Sequence, residues 1–236
     1  THGQVETRDW KWYRSKGKLP TPDYGVFWGF EDRFLWQFAR EELEELSSTG
    51  EPFMLSMLTV DTHFPQGYIC AECGSEHSKN RLDRYKDVIL CADRQAASFI
   101  EWASQQDWFR NTVIVLVGDH LFMTSERFNI FEDETALIPL HRLKDEVERT
   151  SHFRRRWYNV FINPVKKPQK KFNRSFSSFD IFPSILEAMG ARVDGHALGF
   201  GRSLFSSQTT LLESMNESEF NLELIKAGAL LSGYEY

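Results

Sequence analysis

The chain lacks any run of about 18 consecutive apolar residues, so nothing in it reads as a membrane-spanning helix. Its first residues, Thr1-His2-Gly3-Gln4, lack the charged start and apolar centre of a signal peptide. An initiating methionine is missing too, which fits an excised piece of a longer polypeptide. A basic stripe is also lacking, and the formal net charge of -6 excludes the electrostatic footprint expected of a nucleic-acid binder. Lys166, Lys167, Lys170, Lys171 and Arg174 form a short basic run that reads as a solvated loop, with contact to anionic lipid as the alternative. Internal repeats and low-complexity segments are missing. Cysteine is scarce, at three residues, an odd set that cannot pair completely within one chain.

What remains is an ordinary globular composition, 41% hydrophobic and 26% charged over 236 residues. That length can bury one sizeable core, which favours one large α/β domain over two small ones. Residues 1–50 form an aromatic-rich lead-in with Trp10, Trp12, Tyr13, Tyr24, Phe27, Trp28 and Phe30 among Gly and Pro. These aromatics read as core and packing surface, although Trp28 suits either core or a site mouth. Phe34, Leu35, Phe38, Ala39 and Leu43 recur at helical spacing and predict a helix over Glu31–Ser48. Residues 53–60 are an apolar run of strand length, the pattern of a strand buried on both faces. Residues 112–117 form a second such run, rich in β-branched side chains and ended by Gly118.

A helical pattern from about Leu82 to Gln105 lies between the two runs, so strand, helix and strand read as a βαβ unit with parallel strands. Tyr158–Asn163 is a third strand candidate. Residues 177–190 read as a loop and a capped helix closed by Gly190. The tail from Glu213 to Ser232 has weak helical character and no motif. The expected fold is therefore α/β, a mainly parallel sheet flanked by helices.

In open α/β sheets ligands bind beyond the carboxyl ends of the strands. The residues standing there are Asp61-Thr62-His63 after the first run and Asp119-His120 after the second. A carboxylate and an imidazole fixed at a strand end are suitable ligands for Zn²⁺ or Mn²⁺. A single Asp-His dipeptide is often only a loop hydrogen bond, and His63 taken alone reads as a loop imidazole bonded to backbone. Two such pairs at one expected sheet edge make the functional reading stronger.

These residues also resemble a family. Residues 58–67 (LTVDTHFPQG), 118–121 (GDHL), 179–186 (FDIFPSIL) and 198–205 (LGFGRSLF) look like the phosphoglycerol transferase I family of periplasmic glucan decoration, and more distantly like lipoteichoic acid synthase. Both lie in the alkaline phosphatase and sulfatase superfamily. Order and spacing match from about Trp28 to Phe205, and the combination is specific although no single motif is. The resemblance implies that 1–236 is the C-terminal part of one sulfatase-like catalytic domain, with a core over 51–205 and a tail over 206–236. It implies metal binding by Asp119 and His120, with Mn²⁺ expected and Mg²⁺ or Zn²⁺ as alternatives. His63 would contact the substrate phosphate or glycerol group.

The implied chemistry is attack of a Thr or Ser on a phosphatidylglycerol-type lipid, departure of diacylglycerol, and passage of the phosphoglycerol to a glycan or polyol-phosphate acceptor. No nucleophile is identified in these residues. The family's nucleophile, its early acidic metal ligand and an Arg-containing substrate loop precede the matching region, so the isolated chain is expected to bind metal weakly and not to turn over. The parent protein is expected to be extracytoplasmic, at the periplasm or outer face of the cell membrane, and anchored by a segment outside these residues. Two other readings stand beside this one: a sulfatase or phosphodiesterase using water as acceptor, and a non-catalytic domain binding glycans or a partner.

For Cys70, Cys73 and Cys91 the resemblance implies an oxidising compartment and a bridge from Cys91 to Cys70 or Cys73. A structural zinc site of Cys70, Cys73, His77 and Cys91 is the sharper alternative, because the Cys-x-x-Cys start is right although the remaining spacing is unfamiliar. Redox catalysis by Cys70 and Cys73 is disfavoured, since the pair does not open a helix after a strand. His141, His152 and His196 read as surface histidines. Asp180 and Pro183 are explained by starting a helix. Arg202 reads as holding a loop between glycines, with phosphate binding as the unsupported alternative.

Overall fold

A computed structural model describes residues 6–26, 28–63, 67–73, 81–120, 158–169 and 174–231. His77, His141, His152, Phe64, Pro65, Gln66, Lys170 and Lys171 lie outside the described residues. The described chain forms two compact units, one of residues up to Asp107 and one from Trp108 onward.

The first unit is built on aromatic packing. Helix α1 (Trp10–Ser15) is capped by Asp9, whose carboxylate accepts the Trp12 N–H at 2.9 Å. Helix α2 (Asp32–Ser48) turns Phe34, Phe38, Ala39 and Leu43 inward, close to the periodicity read from sequence. Tyr13, Leu19, Phe34 and Phe38 form the buried cluster, with Trp10, Trp12, Tyr24 and Phe30 packed against it. Tyr13 stacks on Phe38 at 4.0 Å between ring centroids. Burying a side chain such as Phe38 contributes roughly 2–3 kcal/mol. Among the described lead-in aromatics, Tyr13 is core and Trp10, Trp12, Tyr24 and Phe30 pack against it, with Trp28 the exception at 67% exposure. Helix α3 (Arg81–Ser104) buries Val88, Cys91, Phe99 and Ala103, and Phe99 meets Trp36 of α2 at 4.9 Å.

In the second unit, strand β1 (Ile114–Val117) pairs antiparallel with β2 (Asn159–Ile162), Ile114 opposite Ile162 and Val117 opposite Asn159. Helix α4 (Ile181–Ala188) follows a turn in which Ser177 and Asp180 form a reciprocal cap. Strands β3 (Ala197–Leu198) and β4 (Gly201–Arg202) make a small hairpin, and helices α5 (Leu211–Ser214) and α6 (Glu217–Leu231) complete the chain.

Two expectations change here. Both sheets among the described residues are antiparallel, so no parallel βαβ unit is formed from 53–60, α3 and β1. Residues 53–60 enter no strand pairing among the described residues, and they leave Met54 and Leu58 84% and 77% exposed. The apolar run carries the composition of a two-face-buried strand, but among the described residues nothing covers its second face at Met54 and Leu58. The chain is nevertheless α/β in content, and no described helix is long and apolar enough to cross a membrane.

The basic run is also less solvated than expected. Arg174 is almost fully buried, donating to Glu213 at 2.7 Å and to the Ser206 carbonyl at 2.9 Å. Lys166 donates to buried Glu187 at 2.7 Å, whereas Lys167 is exposed. Charge composition identified the run but could not show that two of its members have acidic partners far along the chain.

Candidate metal and phosphate site

Strand β1 delivers Asp119 and His120. The Gly118 N–H still bonds the Tyr158 carbonyl at 3.0 Å, so the ladder holds the backbone up to the residue before the pair. The His120 N–H then donates to Asp119 Oδ1 at 2.8 Å, leaving Oδ2 to stand 3.4 Å from His120 Nε2. Two ligand atoms each about 2.1 Å from a tetrahedral ion lie about 3.4 Å apart, so this separation is also the one that two ligands of a single cation would show. Both side chains are well exposed, 67% for Asp119 and 56% for His120, which leaves further coordination positions open to other groups.

His63 sits in a pinned loop. Its N–H bonds the Val60 carbonyl at 2.8 Å, its carbonyl accepts from Gly67 at 3.0 Å, and the Tyr68 N–H bonds the Asp61 carbonyl at 2.7 Å. The Tyr85 hydroxyl, from α3, donates to the Thr62 carbonyl at 2.5 Å. Gly67 closes the loop at φ +63°, where an added Cβ would fall 2.7 Å from a Val88 methyl and 2.8 Å from the Asp61 carbonyl. The half-buried His63 ring tilts against Trp28 at 4.1 Å. An imidazole N–H beside an exposed indole can donate to a phosphate oxygen while the ring covers the C–H face of a glycerol or sugar.

Asp61 behaves differently from its neighbour. It is fully buried and faces the start of α2, where its Oδ1 accepts the Asp32 N–H at 3.1 Å. Asp32 returns the contact, accepting from Val60 at 2.7 Å and from Asp61 at 3.1 Å. The carboxylate pair therefore sews the 53–60 segment to a helix start, and the Asp61-His63 pair is not a copy of Asp119-His120. Burial, then the Asp32 charge, push Asp61 up to about 7, and burial raises Asp32 as well. Asp32 was not singled out from sequence. Its only signal was its place in the first turn of a predicted helix, where an acid is ordinary.

The raised value sets the sign of a pH effect. An unfolded Asp releases its proton near 3.9, so between about pH 4 and 7 the folded state holds more protons, and stability falls as pH rises through that window. Asp61→Asn should flatten this slope, leaving only the part due to Asp32, and so gain roughly 1–3 kcal/mol on wild type between pH 5 and pH 8 in urea unfolding. Parallel pH profiles for the two proteins would rule the buried carboxylate pair out as its source.

The remaining candidates are structural. Asp180 accepts from Ser177 at 2.8 Å and from Arg202 at 2.7 Å, and Arg202 donates to the carbonyls of Gly199 at 3.3 Å and Gly201 at 3.0 Å. His196 is not a lone surface histidine: its Nδ1 stands 2.8 Å from Glu187. Burial works against the Glu187 charge, but bonds from Lys166, Ser203 and His196 outweigh it and hold the carboxyl below its ordinary value. Cys73 and Cys91 are bridged, and Cys70 is a buried free thiol.

Against known proteins, a family model described as Sulfatase matches residues 3–191. Phosphoglycerol transferase I of Escherichia fergusonii is 29% identical over 211 residues, which cover 88% of this chain and 24% of the relative. The protein of the same name from Xanthomonas campestris pv. campestris is 27% identical over 209 residues, covering 88% and 26%, and that from Shigella flexneri is 28% identical over 211 residues, covering 88% and 24%. The chain spans about a quarter of the length of these curated relatives. No solved structure matches it.

Proposed function

Because the chain belongs to the sulfatase family, we propose that it contributes part of the active site of an extracytoplasmic enzyme that moves phosphoglycerol from a phosphatidylglycerol-type lipid to a glycan or polyol-phosphate acceptor. The observation that carries this reading is the Asp119-His120 pair at the end of β1, with Oδ2 and Nε2 separated as two ligands of one cation are. The names of the curated relatives supply the transferred group.

Asp119 and His120 would hold a divalent cation, Mn²⁺ first, with Mg²⁺ or Zn²⁺ as alternatives. Such a cation would lower the charge on the phosphoryl oxygens and favour an ionised hydroxyl nucleophile. His63 would donate a hydrogen bond to a phosphoryl oxygen as negative charge grows there. Trp28 would lie against the glycerol or the acceptor and limit water beside that imidazole. The hydroxyl nucleophile, a Thr or Ser, would come from residues outside the matched motifs, displace diacylglycerol, and hand its phosphoglycerol to the acceptor. Membrane attachment would likewise come from outside these residues, as would the rest of a mainly parallel sheet. The Cys73–Cys91 bridge supports an oxidising compartment.

His63→Ala tests the imidazole directly. In the full-length protein, release of diacylglycerol from phosphatidylglycerol should fall roughly 10²–10³-fold with unfolding temperature unchanged, the range seen when one donor to a developing oxyanion is removed. Wild-type activity in that variant would leave His63 as a loop residue only.

A further inference from the structure

The three cysteines form a cluster that the transfer reaction does not use. Cys70, in the turn before α3, has its sulfur 3.7 Å from Cys73 Sγ and 3.6 Å from Cys91 Sγ, with Cys70 and Cys91 fully buried. All three sulfurs lie within 4.8 Å of one another. Two thiolates on a tetrahedral Zn²⁺, each at about 2.3 Å, stand about 3.8 Å apart. Two of the three sulfur–sulfur edges already have close to that length. Only the bonded Cys73–Cys91 edge is too short.

N–H donors also lie around the Cys70 sulfur. Burial raises the Cys70 thiol above its ordinary value, an effect that the nearby backbone N–H groups of Glu72 and Cys73 oppose, and Gln95 Nε2 lies 3.5 Å from Cys70 Sγ and 3.3 Å from Cys91 Sγ. A metal-bound thiolate has excess charge, and its outer partners supply such donors. The turn itself fits: the Cys73 N–H bonds the Cys70 carbonyl at 3.1 Å, folding the two cysteines of the Cys-x-x-Cys segment onto one side.

We propose that, with the Cys73–Cys91 bond reduced, Cys70, Cys73 and Cys91 bind one Zn²⁺ as three thiolates and so clamp the 67–73 segment to α3. Reduction takes two electrons and two protons from an external dithiol, which leaves as its own disulfide. Zn²⁺ then displaces the three thiol protons, and water fills the fourth position. The ion and the disulfide are alternative staples for the same loop, so the cluster holds the His63 loop in either redox state. This proposal does not rest on the transferase reading, since it concerns separate residues and a binding measurement.

The test uses Co²⁺ as an optical probe on the full chain, reduced and desalted without oxygen. One Co²⁺ per chain should bind with a sulfur-to-metal charge-transfer band, and Zn²⁺ should abolish that band by displacement. Cys70→Ser should bind Co²⁺ more than about 100-fold more weakly, because losing an outer partner alone costs about 10–100-fold. Gln95→Ala should fall within that range. Oxidised Cys70→Ser keeps the Cys73–Cys91 bridge, so its circular dichroism separates a lost ligand from a lost fold. Binding without a sulfur band, equal Co²⁺ affinity in reduced wild type and Cys70→Ser, or a reduced wild type that takes up no metal would each overturn the proposal.

Discussion

His120→Ala should abolish Mn²⁺-dependent release of diacylglycerol by the full-length protein, a loss of about a thousandfold or more. At the end of β1 the Gly118 N–H bonds the Tyr158 carbonyl, which fixes the direction in which the next two residues leave the sheet. Asp119 spends one oxygen on the His120 N–H, which turns the other toward the imidazole at 3.4 Å. Removing the imidazole leaves a carboxylate alone to hold the ion. A bound cation is worth several kcal/mol of charge stabilisation in the transition state, and about 4 kcal/mol corresponds to a thousandfold in rate. His120 is largely exposed, so the variant should unfold at the wild-type temperature. A folded His120→Ala protein with undiminished activity would remove this pair from the catalytic site.

Gly201→Ala should be more damaging than an added methyl at any other described glycine of the second unit for which close contacts are known. The backbone at Gly201 runs so close to the turn before α4 that an added Cβ would lie 1.9 Å from the Phe179 carbonyl oxygen and 2.6 Å from its carbon. Neither contact is with a flexible side chain, so one backbone segment must move. That movement would break the 2.7 Å bond from the Arg202 N–H to Asp180, whose carboxylate also caps the turn. The expected cost is more than about 3 kcal/mol, above the usual range for overpacking, because main chain meets main chain. Urea unfolding of wild type and variant measures it, and a difference within about 0.5 kcal/mol would show that the segments are not in contact.

The elements that were legible from sequence are those whose signals are local. Helix α2 announced itself through Phe34, Phe38, Ala39 and Leu43, and α3 through its long stripe, because burying one helix face imposes a period on the sequence. Residues 53–60 were misread because apolar composition reports what a segment would bury, not whether a neighbour is there to cover it. Pairing of β1 with β2 across more than 40 positions leaves no mark on either strand. His196 and Arg174 were misplaced for the same reason: their acidic partners, Glu187 and Glu213, are set by folding and not by nearby spacing. The closeness of Asp119 and His120 at 3.4 Å was legible because adjacent residues at a strand end need little tertiary help to meet. Trp28 beside His63, and Asp32 beside Asp61, required the fold.

The measurement that tests the central claim most directly follows the glycerol headgroup. Full-length protein would be given Mn²⁺, phosphatidylglycerol labelled in that headgroup, and a glycan acceptor, and both products would be counted. Transfer requires label on the acceptor in proportion to diacylglycerol released, with both lost in His120→Ala. Label appearing only as free glycerol phosphate would make water the acceptor and the protein a hydrolase, and no release from a folded, metal-supplied protein would contradict the enzymatic account altogether.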